Sequence, residues 1–348
     1  MCRGNLVLNV VRPFRVANVG EGLHPLPKFM KYLITGGAGF IGSHLCEYLL
    51  AHGHRVTALD DLSTGRPENV KSIQTNPDFQ LVVDTVLNRS VLESLVSGAD
   101  IVCHLAAAVG VKNIIENPLQ SLKTNVEGTL NVLEAAVPSG QKVILTSTSE
   151  VYGKNENIPF SEENDLVLGP TTTRRWGYAC SKALDEFLAL AYFSEKKVPV
   201  VIGRLFNTIG PRQTGRYGMV VPRFVGQALA GEEITVYGDG RQTRSFTYVS
   251  DAVEALCLLS QKENIAGGVF NIGTMEEITI QALAEKVKTL CRSNSRIVHL
   301  APEEAYRDGF EDMRRRLPDL SRIKEAIGYS PRVNLDEALK KVIASFRE

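Results

Sequence analysis

Tyr178 and Lys182 stand four residues apart in YACSK, inside a stretch whose apolar spacing predicts a helix over Tyr178–Ser194, so both project from one face. A lysine ammonium beside a tyrosine stabilises the phenolate and lowers its pKa, which makes the tyrosine a usable base near neutral pH. Upstream, the apolar strand Lys142–Leu145 runs into Thr146–Ser147–Thr148–Ser149–Glu150–Val151–Tyr152–Gly153. In that run Thr148 is placed to hold a sugar or share a proton. Glu150 beside it is read as a substrate-facing carboxylate in preference to a helix-start or salt-bridge one. The chemistry this allows is proton abstraction from a hydroxyl, coupled to hydride loss from its carbon.

A hydride needs an acceptor, and Lys31–Leu45, KYLITGGAGFIGSHL, supplies a place for one. A short apolar run ends at Thr35, glycines follow at Gly36, Gly39 and Gly42 with Phe40 and Ile41 between them, and an amphipathic helix runs on to Gly53. Spaced glycines let a dinucleotide pyrophosphate approach backbone N–H groups at a helix N-terminus. A second apolar run, Arg55–Leu59, ends on Asp60, positioned to accept hydrogen bonds from an adenosine ribose and to repel a 2′-phosphate. The cofactor expected is therefore NAD in preference to NADP.

The remaining elements alternate. Strands are predicted at Phe79–Val83, ending at Asp84, and at Ile101–Leu105, leading into Ala106–Ala107–Ala108, where small residues let a flat cofactor lie close to the backbone. Helices are predicted at Arg89–Val96 and Leu119–Val137. This rhythm gives an α/β protein, a Rossmann-like doubly wound parallel sheet, with ligands at the carboxyl ends of its strands. From about Arg204 the pattern loosens into short strands (Ile234–Tyr237, Phe246–Val249, Val269–Ile272, Ile297–Leu300) and helices (Pro222–Ala230, Asp251–Leu259, Ile280–Leu290, Leu320–Ile327, Leu335–Phe346). The expected division is a dinucleotide-binding unit over 30–203 and a smaller C-terminal α/β substrate lobe over 204–348 that lends one or two elements back to the sheet.

With 39 basic and 39 acidic residues among 348, the formal net charge is zero, which argues against nucleic-acid or membrane-surface binding driven by charge. No stretch approaches the ~18 apolar residues of a membrane span. Six cysteines without CxxC pairing read as buried thiols in a reducing cytoplasm, and neither they nor the unpatterned histidines suggest a metal site. Residues 1–29 fit neither a signal peptide nor the fold and are expected to form a disordered extension.

Taken together, TGGAGFIGSH, DDLSTG, HLAA, TSEVYG, YxxxK, RLFNTIGPR, ITVYGDGRQTRSFTYVSD and RRLPDLS resemble the extended short-chain dehydrogenases/reductases, over nearly all of the chain from Met30. Thr148–Ser149–Glu150 is similar to the triplet of UDP-glucuronate decarboxylases, whereas the 4,6-dehydratases of that branch carry Asp where Ser149 stands. The resemblance implies NAD-dependent decarboxylation of UDP-glucuronate to UDP-xylose through a 4-keto sugar, with NAD recycled. The alternatives are a UDP-glucuronate 4-epimerase, then a 4,6-dehydratase or a catalytically dead NAD-binding regulator. By the same resemblance Tyr178, Lys182, Thr148, Ser149, Glu150 and Arg244 are catalytic. Ser63, Thr64, Gly65 and Asn125 join Gly36, Gly39, Phe40, Ile41, Gly42, Asp60, Asp84, Leu105, Ala106, Ala107, Tyr178 and Lys182 at the cofactor. Asn207, Arg212, Tyr237, Arg244 and Arg316 bind the sugar nucleotide, Arg316 at its diphosphate; Tyr237 reads equally as a core strand residue. A homodimer is implied, formed by the helices Leu119–Val137 and Tyr178–Ser194.

Overall fold

The computed structural model describes residues 29–109, 116–215, 219–301 and 313–347; the expected extension lies outside them except for Phe29. Seven parallel strands form one sheet: β1 (Lys31–Thr35), β2 (Arg55–Asp60), β3 (Phe79–Val83), β4 (Ile101–His104), β5 (Lys142–Thr148), β6 (Val200–Leu205) and Val269–Ile272 from the C-terminal part. Their order is 3-2-1-4-5-6 with Val269–Ile272 on the outer edge of β6, so the direction of winding reverses between β1 and β4. Such a reversal opens a crevice at the carboxyl ends of the strands.

The apolar runs are continuous because both faces are covered. Tyr32 and Ile34 enter the core shared with α1 (Phe40–Ala51) and with the helix Val249–Gln261. Leu33 turns to the opposite layer, among Leu92 and Val96 of α2 (Arg89–Ser97), Val132 and Leu133 of α3 (Pro118–Ala136) and Ala189 of α4 (Arg175–Lys196).

Beyond β6 the elements are small. β7 (Thr208–Ile209) and α5 (Val220–Ala230) lead to β8 (Ile234–Tyr237), which pairs in parallel with a strand at Ile297–Leu300. The strand expected at Phe246–Val249 is instead β10, Thr247–Tyr248, bonded to β7, and Val249 already opens α6 (Val249–Gln261). Just before it β9 (Thr243–Ser245) pairs antiparallel with Glu277–Thr279. Among the described residues no helix is long and apolar enough to cross a membrane. Of the described cysteines, Cys46, Cys103, Cys257 and Cys291 are buried thiols; Cys180 is exposed, because α4 turns that face outward.

Candidate active site

A cavity of about 860 Å³ opens at the carboxyl ends of β1, β2, β4, β5 and β6 and is closed on its far side by the C-terminal part. Gly36, Gly39, Phe40, Ile41 and Gly42 form one end of its wall. Gly36 has a φ of +71°, and a Cβ there would lie 2.9 Å from the Ala106 nitrogen. A Cβ on Gly42 would lie 2.0 Å from the Gly36 carbonyl oxygen, a clash with backbone that cannot be relieved by a rotamer. Gly42→Ala is accordingly expected to open the turn, destabilise the fold by about 2 kcal/mol or more and weaken dinucleotide binding at least tenfold, as thermal unfolding and a binding titration would show.

Asp60, nearly buried, accepts from Ala38 N and Leu62 N, each at 2.9 Å. Burial pushes its carboxyl pKa up while those N–H groups hold it down. Asp60 lines the cavity with Ser63, Thr64, Asp84, Leu105, Ala106 and Ala107. Gly65 does not: a Cβ on it would meet Asp60 Oδ1 at 2.5 Å, so it makes room for the carboxylate. Asn125 lies behind the wall, accepting from Ala108 N at 2.7 Å and donating to Ser181 Oγ at 3.1 Å; it fixes the alanine loop to α4. This turn, small-residue loop and buried acid suit the pyrophosphate, flat rings and ribose of a dinucleotide.

At the other end, Thr148, Ser149, Glu150, Tyr178, Lys182, Asn207, Tyr237, Arg244 and Arg316 all line the cavity. The Thr148 side chain faces the Tyr178 phenol and draws its pKa down, and Thr148 accepts from Glu150 N at 3.2 Å. Ser149 Oγ is buried without a hydrogen-bond partner among the described residues. Glu150 is held by two guanidinium groups, Arg316 Nη2 donating at 2.7 Å and Arg175 Nη2 at 3.1 Å. Burial would raise its pKa, but the arginines hold it down at about 2. The corner thus carries one negative and two positive charges.

Three expectations change. Arg316 is not set apart for a diphosphate: it grips Glu150 and reaches Asn207 Oδ1 at 3.3 Å. Arg212 does not line the cavity; it donates to Ser43 Oγ at 3.1 Å and Glu47 Oε1 at 2.6 Å and pins its loop to α1. The Tyr178 phenol is not brought below its ordinary pKa. The Lys182 ammonium is engaged by Asp185 at 2.7 Å, and burial, with the charges of Glu150 and Asp185, pushes the phenol up, while Thr148 and Arg316 draw it down.

Arg175, whose place before Tyr178 resembles the decarboxylases, is brought onto Glu150, whereas Asp185 and the brace behind it were not expected. Glu186, one residue after Asp185, is gripped by Arg204 (2.7 and 3.0 Å) and hydrogen-bonded by Ser147, tying α4 to β5 and β6. The signal was available in the i+3 and i+4 spacing of Asp185 and Glu186 from Lys182. Tyr152 OH donates to Asn271 Oδ1 at 2.7 Å, tying the turn after β5 to the edge strand.

Parallel winding in this order, a glycine turn at the first strand and a Tyr/Lys pair on the helix after β5 define an extended short-chain dehydrogenase/reductase. More narrowly, residues 33–342 match the family described as GDP-mannose 4,6-dehydratase, and the chain belongs to it. It is 44% identical to a UDP-N-acetyl-alpha-D-glucosaminuronate decarboxylase of Bacillus cytotoxicus, over 91% of this chain and 97% of that protein. It is 41% identical to UDP-glucuronic acid decarboxylase 1 of Xenopus tropicalis, over 91% of this chain and 72% of that one. Among solved structures it resembles a UDP-glucuronic acid 4-epimerase of Bacillus cereus, in complex with UDP-4-deoxy-4-fluoro-glucuronic acid and NAD, with a TM-score of 0.82 at 29% identity, covering 91% and 99% of the two chains.

Proposed function

We propose that this protein is an NAD-dependent UDP-glucuronate decarboxylase that forms UDP-xylose through a 4-keto intermediate. The observation that carries this reading is the Arg175–Glu150–Arg316 corner beside Tyr178, whose guanidinium groups suit a hexuronate carboxylate next to the carbon being oxidised. The decarboxylases among its relatives support it. Residues 30–203 serve as the dinucleotide-binding unit and 204–348 as the substrate lobe, which returns Val269–Ile272 to the sheet.

NAD supplies the acceptor and, at the end, the donor of the C4 hydride, so none is consumed. Tyr178, with Thr148 facing it, takes the C4 hydroxyl proton. The resulting ketone lies β to the carboxylate and accepts the electron pair released as CO₂ leaves. Glu150 with its arginines, and Arg244 across the cavity, orient the carboxylate. A guanidinium stays protonated, so the C5 proton comes from a water that Arg244 holds. Tyr178 returns its proton to O4 as the sugar is reduced.

A 4-epimerase would form the same ketone and keep the carboxylate, and the Bacillus cereus neighbour gives that reading its support. The 44% relative raises a second substrate, the 2-N-acetyl analogue. Measuring kcat/KM for CO₂ release from both hexuronates tests the choice: UDP-glucuronate is expected to be favoured, and a preference for the N-acetyl sugar would overturn it.

The homodimer belongs to the same reading. α3 and α4 pack together and leave Leu119, Leu122, Leu184 and Phe187 exposed. Phe187, 67% exposed, is expected to sit in the dimer interface. Phe187→Asp is expected to yield monomers in analytical ultracentrifugation with the fold intact; an unchanged dimer would move the interface elsewhere.

A further inference from the structure

Lys182 reaches the cavity wall as one half of a buried ion pair. Its Nζ donates to Asp185 Oδ2 at 2.7 Å, and the two side chains are 3% and 0% exposed. An ammonium has three N–H donors, and the other two have no hydrogen-bond partner among the described residues. The neighbouring Glu186 cannot serve in place of Asp185, because its carboxylate is taken up by Arg204 and Ser147.

Behind Asp185 stands a line of buried polar groups that leads away from the cavity. The Thr129 hydroxyl on α3 faces its carboxylate and draws its pKa down, as does Lys182, against the upward push of burial. Asp185 Oδ1 nevertheless lacks a formed hydrogen bond among the described residues. His104 Nε2 lies 3.1 Å from Thr129 Oγ1, its Nδ1 lies 2.7 Å from Thr35 Oγ1, and Ala106 N donates to Thr35 Oγ1 at 3.1 Å. Burial first, and Lys182 second, keep His104 neutral, with a pKa lowered to about 3. With Nδ1 assigned as acceptor and Nε2 as donor, every donor in the line is directed toward Asp185. Packing alone does not call for this arrangement, since apolar side chains fill such a space at least as stably as a buried ion pair.

We propose that Asp185 is the positioning residue of Lys182, holding one ammonium N–H at the floor of the cavity so that the other two are presented to Tyr178 and to a ribose of the bound dinucleotide. This rests on the reading of Tyr178 and Lys182 given above. Asp185 touches neither substrate nor cofactor. It acts on the cofactor through the lysine, so its loss should leave NADH affinity unchanged once the lysine is gone.

The test is a double-mutant cycle read by NADH affinity, from the quenching or enhancement of NADH fluorescence, and by the rate of UDP-glucuronate oxidation. Asp185→Asn is expected to weaken NADH binding about tenfold and lower the oxidation kcat about tenfold, with KM for the sugar nucleotide unchanged. Lys182→Met should do at least as much, and Lys182→Met with Asp185→Asn should match Lys182→Met alone in NADH affinity. Additive losses, or wild-type NADH affinity and kcat in Asp185→Asn, would overturn the proposal. Should Asp185→Asn fail to fold, Asp185→Glu keeps the charge and displaces the carboxylate by one methylene. It is then expected to lose about threefold in both readouts, and wild-type values would refute the inference. Wild-type protein that binds NADH but leaves UDP-glucuronate unoxidised would refute the reaction, while the NADH cycle still decides on Asp185.

Discussion

Tyr178→Phe is expected to lower the rate of UDP-glucuronate oxidation by roughly 10³-fold while NAD stays bound. The substitution removes one hydroxyl and leaves the ring and the cavity wall in place. What is lost is the group that takes the C4 proton, which Thr148 faces. Gly36, Gly39 and Asp60, which are proposed to hold the dinucleotide, line the same cavity and are untouched. The pH dependence follows from the direction of the phenol's shift. Burial, Glu150 and Asp185 raise its pKa, so the base form is scarce at neutral pH and becomes more abundant as pH rises. Oxidation by the wild type should therefore accelerate with pH across the neutral and mildly alkaline range, and Tyr178→Phe should flatten that profile. A variant that oxidises substrate at a tenth of the wild-type rate or faster would remove Tyr178 from the role of base.

Glu150→Gln is expected to separate the two halves of the reaction. CO₂ release should fall about 10²-fold, the loss associated with a misplaced positioning group, while NADH formation in a single turnover is spared. The neutral amide gives Arg175 and Arg316 one partner charge fewer, so they no longer hold one fixed arrangement around the sugar carboxylate. The same change removes a negative charge that raises the Tyr178 pKa, so the acid limb of oxidation should move to lower pH. Equal loss of both steps would remove the reason for assigning Glu150 to the carboxylate. A stability effect accompanies this. Glu150 has a folded pKa of about 2 against an ordinary 4.5, a difference worth on the order of 3 kcal/mol. A depressed carboxyl stabilises the fold above its unfolded pKa, and the contribution disappears as pH falls from about 4.5 toward 2. Acid unfolding of Glu150→Gln should lack that component.

The dinucleotide end of the site was legible because its signals are local. Strand β1, the turn Gly36–Gly42, α1, and β2 ending on Asp60 are consecutive in the chain, and each has its own period or its own steric requirement. The alternation that follows gave the parallel sheet for the same reason. The substrate end depends on contacts between distant segments, and motif membership did not say which group each residue touches. Arg212 and Arg316 both sit in motifs read as substrate-binding, yet one is drawn to Ser43 and Glu47 on α1 and the other to Glu150. Asn125 and Gly65 belong to the cofactor motifs but support the wall from behind. Phe246–Val249 read as one strand because a run of apolar and hydroxyl residues this short has no period to divide it; the pairing partners Thr208–Ile209 and Glu277–Thr279 decide its ends. The YxxxK spacing pairs Lys182 with the tyrosine four before it and does not show that Asp185, three after it on the same face, holds its ammonium.

The most direct measurement is to incubate purified protein with UDP-glucuronate and NAD⁺, and to follow CO₂ release together with the sugar-nucleotide products by mass and NMR. The account predicts one CO₂ for each UDP-xylose formed and no net change in NAD⁺. UDP-galacturonate without CO₂ would contradict it and make the Arg175–Glu150–Arg316 corner a site that retains the carboxylate.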